Sequence, residues 1–119
     1  MKTSFDAINI GGGILGVSTA YELAKAGMKN ICVIERRYLA SGSTGRCGGG
    51  FRQQWSTEAN TRLAIRSVRR LEHIEEELGY KTEFFQGGYL ILSHSAEETA
   101  QFEKNVAMQQ RLGLDVKIV

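Results

Sequence analysis

A run of glycines between an apolar segment and a helix-compatible segment constrains the fold of this chain more than any other feature. Residues 5–10 form a short apolar stretch with the character of a strand, and the glycine run at 11–16 follows at once. Residues 14–26 then suit a helix, and a second apolar strand pattern covers residues 31–34. Strand, glycine turn, helix and strand in this order predict a βαβ unit with two parallel strands.

Each glycine in the run has a separate physical task in a dinucleotide-binding turn. Gly11 permits the tight turn out of the first strand, and the missing Cβ of Gly13 lets a pyrophosphate approach the backbone. Gly16 lets the helix pack closely on the sheet. The unpaired N–H groups and the positive dipole end of the helix then favour phosphate. This pattern predicts dinucleotide binding rather than a turn without a ligand.

An acidic residue ends the second strand, where a dinucleotide would place a ribose. Glu35 can accept hydrogen bonds from both ribose hydroxyls and would repel a 2′-phosphate, which favours FAD or NAD over NADP. Arg36 and Arg37 follow and could instead attract a 2′-phosphate. We favour the interpretation that they are solvated loop cations.

The composition excludes several classes of function. A formal net charge of +2, with 24% charged residues, gives no case for nucleic acid or an anionic membrane surface. The apolar runs are too short to span a bilayer, and the N-terminus does not resemble a secretory signal. Cys32 and Cys47 predict two free thiols in a reducing compartment, and therefore a cytoplasmic protein. No metal-ligand spacing is present, so no metal site is predicted.

A segment of small residues follows Glu35 and differs from an ordinary linker. Residues 41–50 combine glycine, serine and threonine with one arginine, and residues 51–55 add an aromatic, charged and amide cluster. A flexible linker is the alternative interpretation. Because linkers do not usually end in such a cluster, we favour a loop that contacts the cofactor.

The second half of the chain predicts a different arrangement. Residues 57–78 show apolar spacing typical of one long amphipathic helix, which Gly79 ends. Residues 81–85 and 88–92 resemble two strands joined by a glycine-containing turn. This order does not continue the first βαβ unit.

A capping box marks a further helix. Ser95 as N-cap and Glu98 three residues later predict a helix that runs to about residue 112, with Gly113 after it. Residues 115–119 resemble the start of another strand. The sequence thus predicts an α/β chain in which residues 1–79 are the N-terminal part of a cofactor-binding domain and residues 80–119 begin an α+β substrate domain. Two parallel strands need further cover, so we expect a fragment or a chain completed by another polypeptide.

Four motifs together resemble a known family. They are GGGILG at 11–16, ICVIER at 31–36, SGSTGRCGGGFRQQW at 41–55 and GGYLIL at 87–92. The chain resembles the FAD-dependent amine and amino-acid oxidoreductases of the D-amino-acid oxidase type, most closely the β subunits of sarcosine oxidase and proline dehydrogenase. The segment at 41–55 is the more specific part of this resemblance.

The resemblance implies FAD as cofactor, with its pyrophosphate on the glycine turn and its ribose on Glu35. It implies that Ser43 and Thr44 contact the pyrophosphate or ribityl chain, and that the segment from Arg46 runs past the flavin ring. The implied cofactor-binding residues are Gly11, Gly13, Ile14, Leu15, Gly16, Glu35, Arg36, Ser43, Thr44, Arg46, Cys47, Gly48, Gly49 and Gly50.

Arg52 matches a family position near the flavin and the substrate, which makes it the candidate catalytic residue. A cation there would stabilise negative charge on reduced flavin or orient a substrate carboxylate, and a structural salt bridge is the alternative. The implied activity is hydride transfer from the carbon beside an amine nitrogen, with sarcosine, proline or glycine as typical substrates and the rest of the enzyme or other subunits as partners. An NAD-dependent dehydrogenase and a non-catalytic nucleotide-binding fragment or partner subunit are the alternatives.

Overall fold

The computed structural model of the chain describes residues 4–119, which form two compact units. The first unit ends at Gly50 and the second begins at Phe51. This division by contacts differs from the sequence boundary at residue 79. The assignment of residues 1–79 and 80–119 to the cofactor and substrate domains of a complete enzyme stays a prediction.

The first unit contains the predicted βαβ arrangement. Strand β1 covers Ala7–Ile10, helix α1 covers Ile14–Lys25, and strand β2 covers Ile31–Ile34. The two strands pair in parallel, with Ala7 opposite Ile31 at the start of the register. The α/β prediction is therefore confirmed, although β1 begins two residues later than the apolar run suggested.

Helix α1 packs against one face of this sheet. The side-chain amide of Asn9 donates a hydrogen bond to the carbonyl oxygen of Gly16 at 3.1 Å, which joins β1 to the first turns of the helix. A Cβ on Gly16 would lie only 2.0 Å from the carbonyl oxygen of Gly11. Glycine is therefore required there for the helix to leave the turn as it does. The predicted end of α1 is also found, because Gly27 has a left-handed φ of +99°.

One helix of the first unit was not predicted. Residues Ser43–Arg46 form the single turn α2, inside the segment of small residues. Gly42, Gly45 and β-branched Thr44 argue against a helix by propensity. Contacts with the glycine turn, described below, stabilise it instead.

The second unit is built from three helices, α3 (Glu58–Leu71), α4 (Ile74–Leu78) and α5 (Ala96–Arg111). The prediction of one continuous helix over 57–78 is wrong, because the chain leaves helical geometry at His73, with φ −112° and ψ 6°. The apolar spacing continues across this break, which explains why the sequence pattern did not show it. Gly79, with φ +65°, ends α4 as predicted.

The predicted strands of the second unit are wrong. No regular strand forms in residues 81–85, 88–92 or 115–119 of the described chain. A strand requires a neighbouring strand that pairs with its backbone N–H and C=O groups. Here two of the backbone carbonyl oxygens accept hydrogen bonds from side-chain amides. Gln54 donates to the carbonyl oxygen of Tyr89 at 3.2 Å, and Gln110 donates to that of Val116 at 2.8 Å.

The predicted cap of α5 is confirmed. The Ser95 hydroxyl oxygen accepts a hydrogen bond from the N–H of Glu98 at 3.1 Å. The Glu98 carboxylate accepts from the N–H of His94 at 2.7 Å, one residue earlier than in the usual capping box. The helix ends at Arg111, and Gly113 follows with φ +89°.

The core of the second unit lies where α3 meets α5. Val68 is the buried apolar residue of α3 among the described residues, and Thr61 of α3 and Gln109 of α5 are buried polar residues. The Thr61 hydroxyl donates to the carbonyl oxygen of Thr57 at 2.9 Å, which satisfies its proton inside the helix. In the part of the chain that the structure describes, no helix has both the length and the apolar character to cross a membrane.

Candidate functional site

The glycine turn lies at the carboxyl ends of both strands. Gly11 has a left-handed φ of +111°, which side chains rarely adopt. Its N–H donates to the carbonyl oxygen of Ile34 at 2.8 Å, so the turn continues directly from the strand pairing. In a parallel sheet this edge is the usual ligand-binding edge.

Glu35 is held against the glycine turn by its carboxylate. One oxygen accepts the N–H of Gly12 at 2.7 Å, and the other accepts the N–H of Arg37 at 3.0 Å. These hydrogen bonds hold the pKa of Glu35 below its ordinary value of 4.5, and the bond from Gly12 has the largest effect. Each oxygen has a second lone pair, so the ionised carboxylate can still accept hydrogen bonds from a diol.

Thr44 brings the loop of small residues to the start of α1. Its hydroxyl oxygen accepts the N–H of Ile14 at 3.0 Å, which replaces the side-chain cap that Gly13 cannot supply. The hydroxyl proton of Thr44 is not used in this bond, so the hydroxyl can still donate to a further acceptor. The N–H of Ala40 also donates to the carbonyl oxygen of Gly12 at 2.9 Å. The loop is therefore folded against the turn and is not a free linker.

The N-terminal end of α1 has the features of a binding site for an anionic group. The N–H groups of Leu15 and Gly16 have no acceptor among residues 4–119. A Cβ on Gly13 would lie 3.1 Å from the Thr44 hydroxyl, so a side chain there would crowd the loop against the turn. Free N–H groups, the helix dipole and an open backbone are the features that bind a pyrophosphate. The residues present thus fit the diphosphate of a dinucleotide.

The other predicted contacts of the first unit lie on exposed surface around this turn. Arg36 follows Glu35, and Ser43 and Arg46 lie in α2. The thiol of Cys47 donates to the carbonyl oxygen of Thr44 at 3.1 Å. Gly48, Gly49 and Gly50 are exposed and end the unit.

Arg52, the candidate catalytic residue, belongs to the second unit. Its guanidinium carbon lies 4.8 Å from the centre of the Trp55 ring, and the Trp55 indole N–H donates to the Arg52 carbonyl oxygen at 3.1 Å. Among the described residues no carboxylate pairs with Arg52, so the salt-bridge alternative is not found. Stacking occupies the face of the guanidinium and leaves its N–H edge for an anion.

Sequence reasoning missed two residues that contribute to these sites. Ala40 adopts φ +62° and bonds the glycine turn through its backbone, which no side-chain pattern could indicate. Gln109 is buried and donates to the Trp55 carbonyl oxygen at 2.8 Å. Its place on the apolar stripe with Phe102 and Val106 was a signal available in the sequence.

Replacing Thr44 with valine tests the cap on α1. The change keeps the shape of the side chain but removes the acceptor for the Ile14 N–H. We expect α1 to lose about 1 kcal/mol of stability, measured as the opening free energy from hydrogen exchange of its amides. Ser43→Ala is the matched control, because Ser43 is exposed and precedes Thr44 in the same turn. Equal losses in both variants would contradict the capping role.

Fold and site together define a dinucleotide-binding unit of the FAD and NAD class. Comparison with known families gives the narrower assignment, because the family model described as "FAD dependent oxidoreductase" (DAO) matches residues 6–119. The chain belongs to this family. FAD is therefore confirmed as the cofactor, and the family assignment disfavours the NAD-dependent alternative.

Individual relatives agree with this assignment. The chain is 32% identical over 117 residues to the sarcosine oxidase subunit beta of Arthrobacter sp, which covers 98% of the chain. It is 37% identical over 122 residues to the FAD-dependent oxidoreductase domain-containing protein 1 of Bos taurus. Among solved structures, the L-proline dehydrogenase from P. horikoshii superimposes on the whole chain with a TM-score of 0.90 and 43% identity.

The chain is much shorter than these relatives. It spans 29% of the Arthrobacter subunit, 25% of the Bos taurus protein and 31% of the P. horikoshii chain. The likeness therefore concerns one part of each relative.

Proposed function

We propose that this chain binds the adenosine diphosphate half of FAD and forms part of an oxidoreductase that acts on small amino acids or secondary amines. One observation carries the proposal: Glu35 accepts a hydrogen bond from the glycine turn at Gly12, and Thr44 accepts one from the start of α1 at Ile14. An acceptor for ribose and donors for phosphate thereby converge on one edge of the sheet.

Each residue of the first unit has a separate part in this binding. The N–H groups of Leu15 and Gly16 would donate to phosphate oxygens, and the Thr44 hydroxyl would add a third donor. Glu35 would accept from the ribose hydroxyls while its bond to Gly12 holds it in place. We propose the remaining cofactor contacts, from Arg36 and from residues 46–50, along the exposed rim of the same unit.

Bound FAD would supply the redox chemistry by accepting a hydride from the carbon beside the substrate nitrogen. The protein's own contribution is orientation and charge. Arg52 would hold a substrate carboxylate, or stabilise negative charge, through the N–H edge that its stacking on Trp55 leaves open. Trp55 fixes the guanidinium and so reduces the entropy that Arg52 loses on binding.

The substrate class rests on what the relatives share. Their names specify sarcosine oxidase, dimethylglycine dehydrogenase and L-proline dehydrogenase, and all three substrates carry an amine beside a carboxylate. We propose the same class here, together with assembly into a larger enzyme. A cytoplasmic location is proposed with it, on the ground that Cys32 and Cys47 are free thiols.

Absorption spectroscopy tests the cofactor part of this proposal. The purified chain is mixed with FAD, passed through a gel-filtration column and scanned for flavin bands, with intact mass recorded on the same sample. We expect flavin to elute with the protein, and NAD in a parallel run to be lost. A chain that is folded by circular dichroism but retains no flavin would contradict the proposal. Retention of NAD alone would favour a dehydrogenase.

A further inference from the structure

Residues 89–92 form an apolar segment that the described chain leaves uncovered. Tyr89, Leu90, Ile91 and Leu92 follow one another, and each of them is exposed, Leu90 with 71% of its surface. A run that is apolar at every position is typical of a strand buried on both faces. Contiguous apolar exposure on a folded chain indicates an interaction surface.

The backbone of this segment is also unpaired. Among residues 4–119, the N–H groups of residues 89–92 have no acceptor, and of their carbonyl oxygens only that of Tyr89 accepts a hydrogen bond, from the Gln54 side chain. In a strand, alternate residues direct their N–H and C=O groups to the same edge. Gln54 therefore occupies the edge that Tyr89 shares with Ile91, and the edge of Leu90 and Leu92 is open.

We propose that this segment pairs with the same segment of a second copy of the chain, in antiparallel orientation and centred on Leu90. A two-fold axis places Leu90 opposite Leu90 of the second copy, and such a pair exchanges both of its N–H···O=C bonds across the open edge. Tyr89 then lies opposite Ile91 on each side of the axis, and aromatic pairs with β-branched residues stabilise antiparallel sheets. The second copy thereby supplies the neighbouring strand that the strand-like composition of residues 88–92 requires.

Charge favours a second copy as the occupant of this surface. Residues 87–93 contain no lysine, arginine, histidine, aspartate or glutamate, so two copies of the segment meet without repulsion between like charges. The formal net charge of +2 adds little repulsion between whole chains. By contrast, residues 115–119 would place Lys117 opposite itself if they paired in the same way about their centre.

Space beside the segment can receive apolar side chains of the second copy. Residues 89–92 line a cavity of about 620 Å³ together with Phe102 and Val106 of α5. Side chains of alternate residues in a strand point to opposite faces, so a paired strand presents apolar groups to this cavity on one of its faces. Burial of those groups adds to the backbone pairing.

Analytical ultracentrifugation of the chain over a concentration series tests the pairing. We expect monomers to convert to dimers as the concentration rises through the micromolar range, because a contact of a few residues gives weak association. A two-fold contact closes on itself, so no larger species should form. An open series of larger assemblies would overturn the proposal. A wild type that stays monomeric throughout would also overturn it, and would leave the cover of residues 89–92 to a different polypeptide.

Leu90→Lys and Leu90→Glu test the register of the pairing. The exposure of Leu90 means that neither change should unfold the chain. Each variant places like charges opposite one another across the two-fold axis and removes a leucine from the contact. We therefore expect each variant alone to associate about tenfold more weakly than the wild type. An equimolar mixture of the two variants should associate again, because lysine then meets glutamate.

Leu63→Lys is the matched control for these variants. Leu63 of α3 is a similarly exposed leucine outside the segment, so its substitution should leave the association of the chain unchanged. Association that survives in either Leu90 variant alone, or a mixture of the two that stays monomeric, would overturn the proposal. None of these measurements uses FAD or an amine, so their outcome is independent of the proposed function.

Discussion

Gly16→Ala is expected to destabilise the first unit by about 3 kcal/mol and to abolish flavin retention. The added Cβ would lie 2.0 Å from the carbonyl oxygen of Gly11, which is backbone and cannot rotate away. Either α1 moves off the sheet or the glycine turn opens, and both changes displace the N–H groups proposed to hold phosphate. Hydrogen exchange of the α1 amides measures the stability, and gel filtration with FAD measures the binding.

Gly42→Ala is the matched control for this substitution. A Cβ on Gly42 meets no atom within 4 Å, and its φ of −92° lies outside the left-handed region that favours glycine. We expect its stability to stay within about 0.5 kcal/mol of the wild type, and flavin retention to persist. If Gly16→Ala were as stable as this control, close packing of α1 on the turn would not be the reason for glycine at position 16.

Glu35→Gln is expected to weaken FAD binding by roughly tenfold or more, because hydrogen bonds to a charged acceptor are the stronger kind. The amide has one acceptor oxygen where the carboxylate has two, and its NH₂ group would face either the Gly12 or the Arg37 N–H. Titration of the chain with FAD, followed by flavin fluorescence, gives the ratio of dissociation constants.

The lowered pKa of Glu35 also predicts that the stability of the first unit depends on pH. Because the folded pKa of Glu35 is lowered, its contribution to stability is present above the ordinary value of 4.5 and is lost as pH falls through the lower folded value. The difference in melting temperature between wild type and Glu35→Gln should therefore shrink as pH falls below 4.5. Glu58→Gln is the control: the pKa of Glu58 is also lowered, by the Arg62 hydrogen bond, but FAD binding should not change. A FAD affinity unchanged in Glu35→Gln would contradict the ribose role.

The βαβ part of the first unit was predictable because its pattern is local and complete. Each strand, the glycine turn and Glu35 fall within residues 5–35, and the turn geometry follows from the absence of side chains at Gly11 and Gly16. The cap at Ser95 was predictable for the same reason, since its partner Glu98 is three residues away. Local hydrogen bonds of this kind depend on residue type and spacing alone.

The parts that sequence did not indicate depend on partners elsewhere in the chain. Residues 88–92 have the composition of a strand, but strand formation requires a neighbour, and Gln54 takes the Tyr89 carbonyl instead. The break at His73 interrupts neither the apolar spacing nor the charge pattern around it. The bond from Ala40 to Gly12 is made by backbone groups, which every residue except proline carries.

The hydrogen bonds of the glycine turn also set the order in which it can be completed during synthesis. The N–H of Gly12 donates to a carboxylate 23 residues later in the chain, and the N–H of Ile14 donates to a hydroxyl oxygen 30 residues later. A growing chain emerges from its N-terminus, so β1 and α1 leave the ribosome before Glu35 and Thr44 do. The turn therefore reaches its final form only after the loop behind β2 has been made. Capture of a nucleotide by the nascent chain would mark the moment at which the first unit is fully assembled.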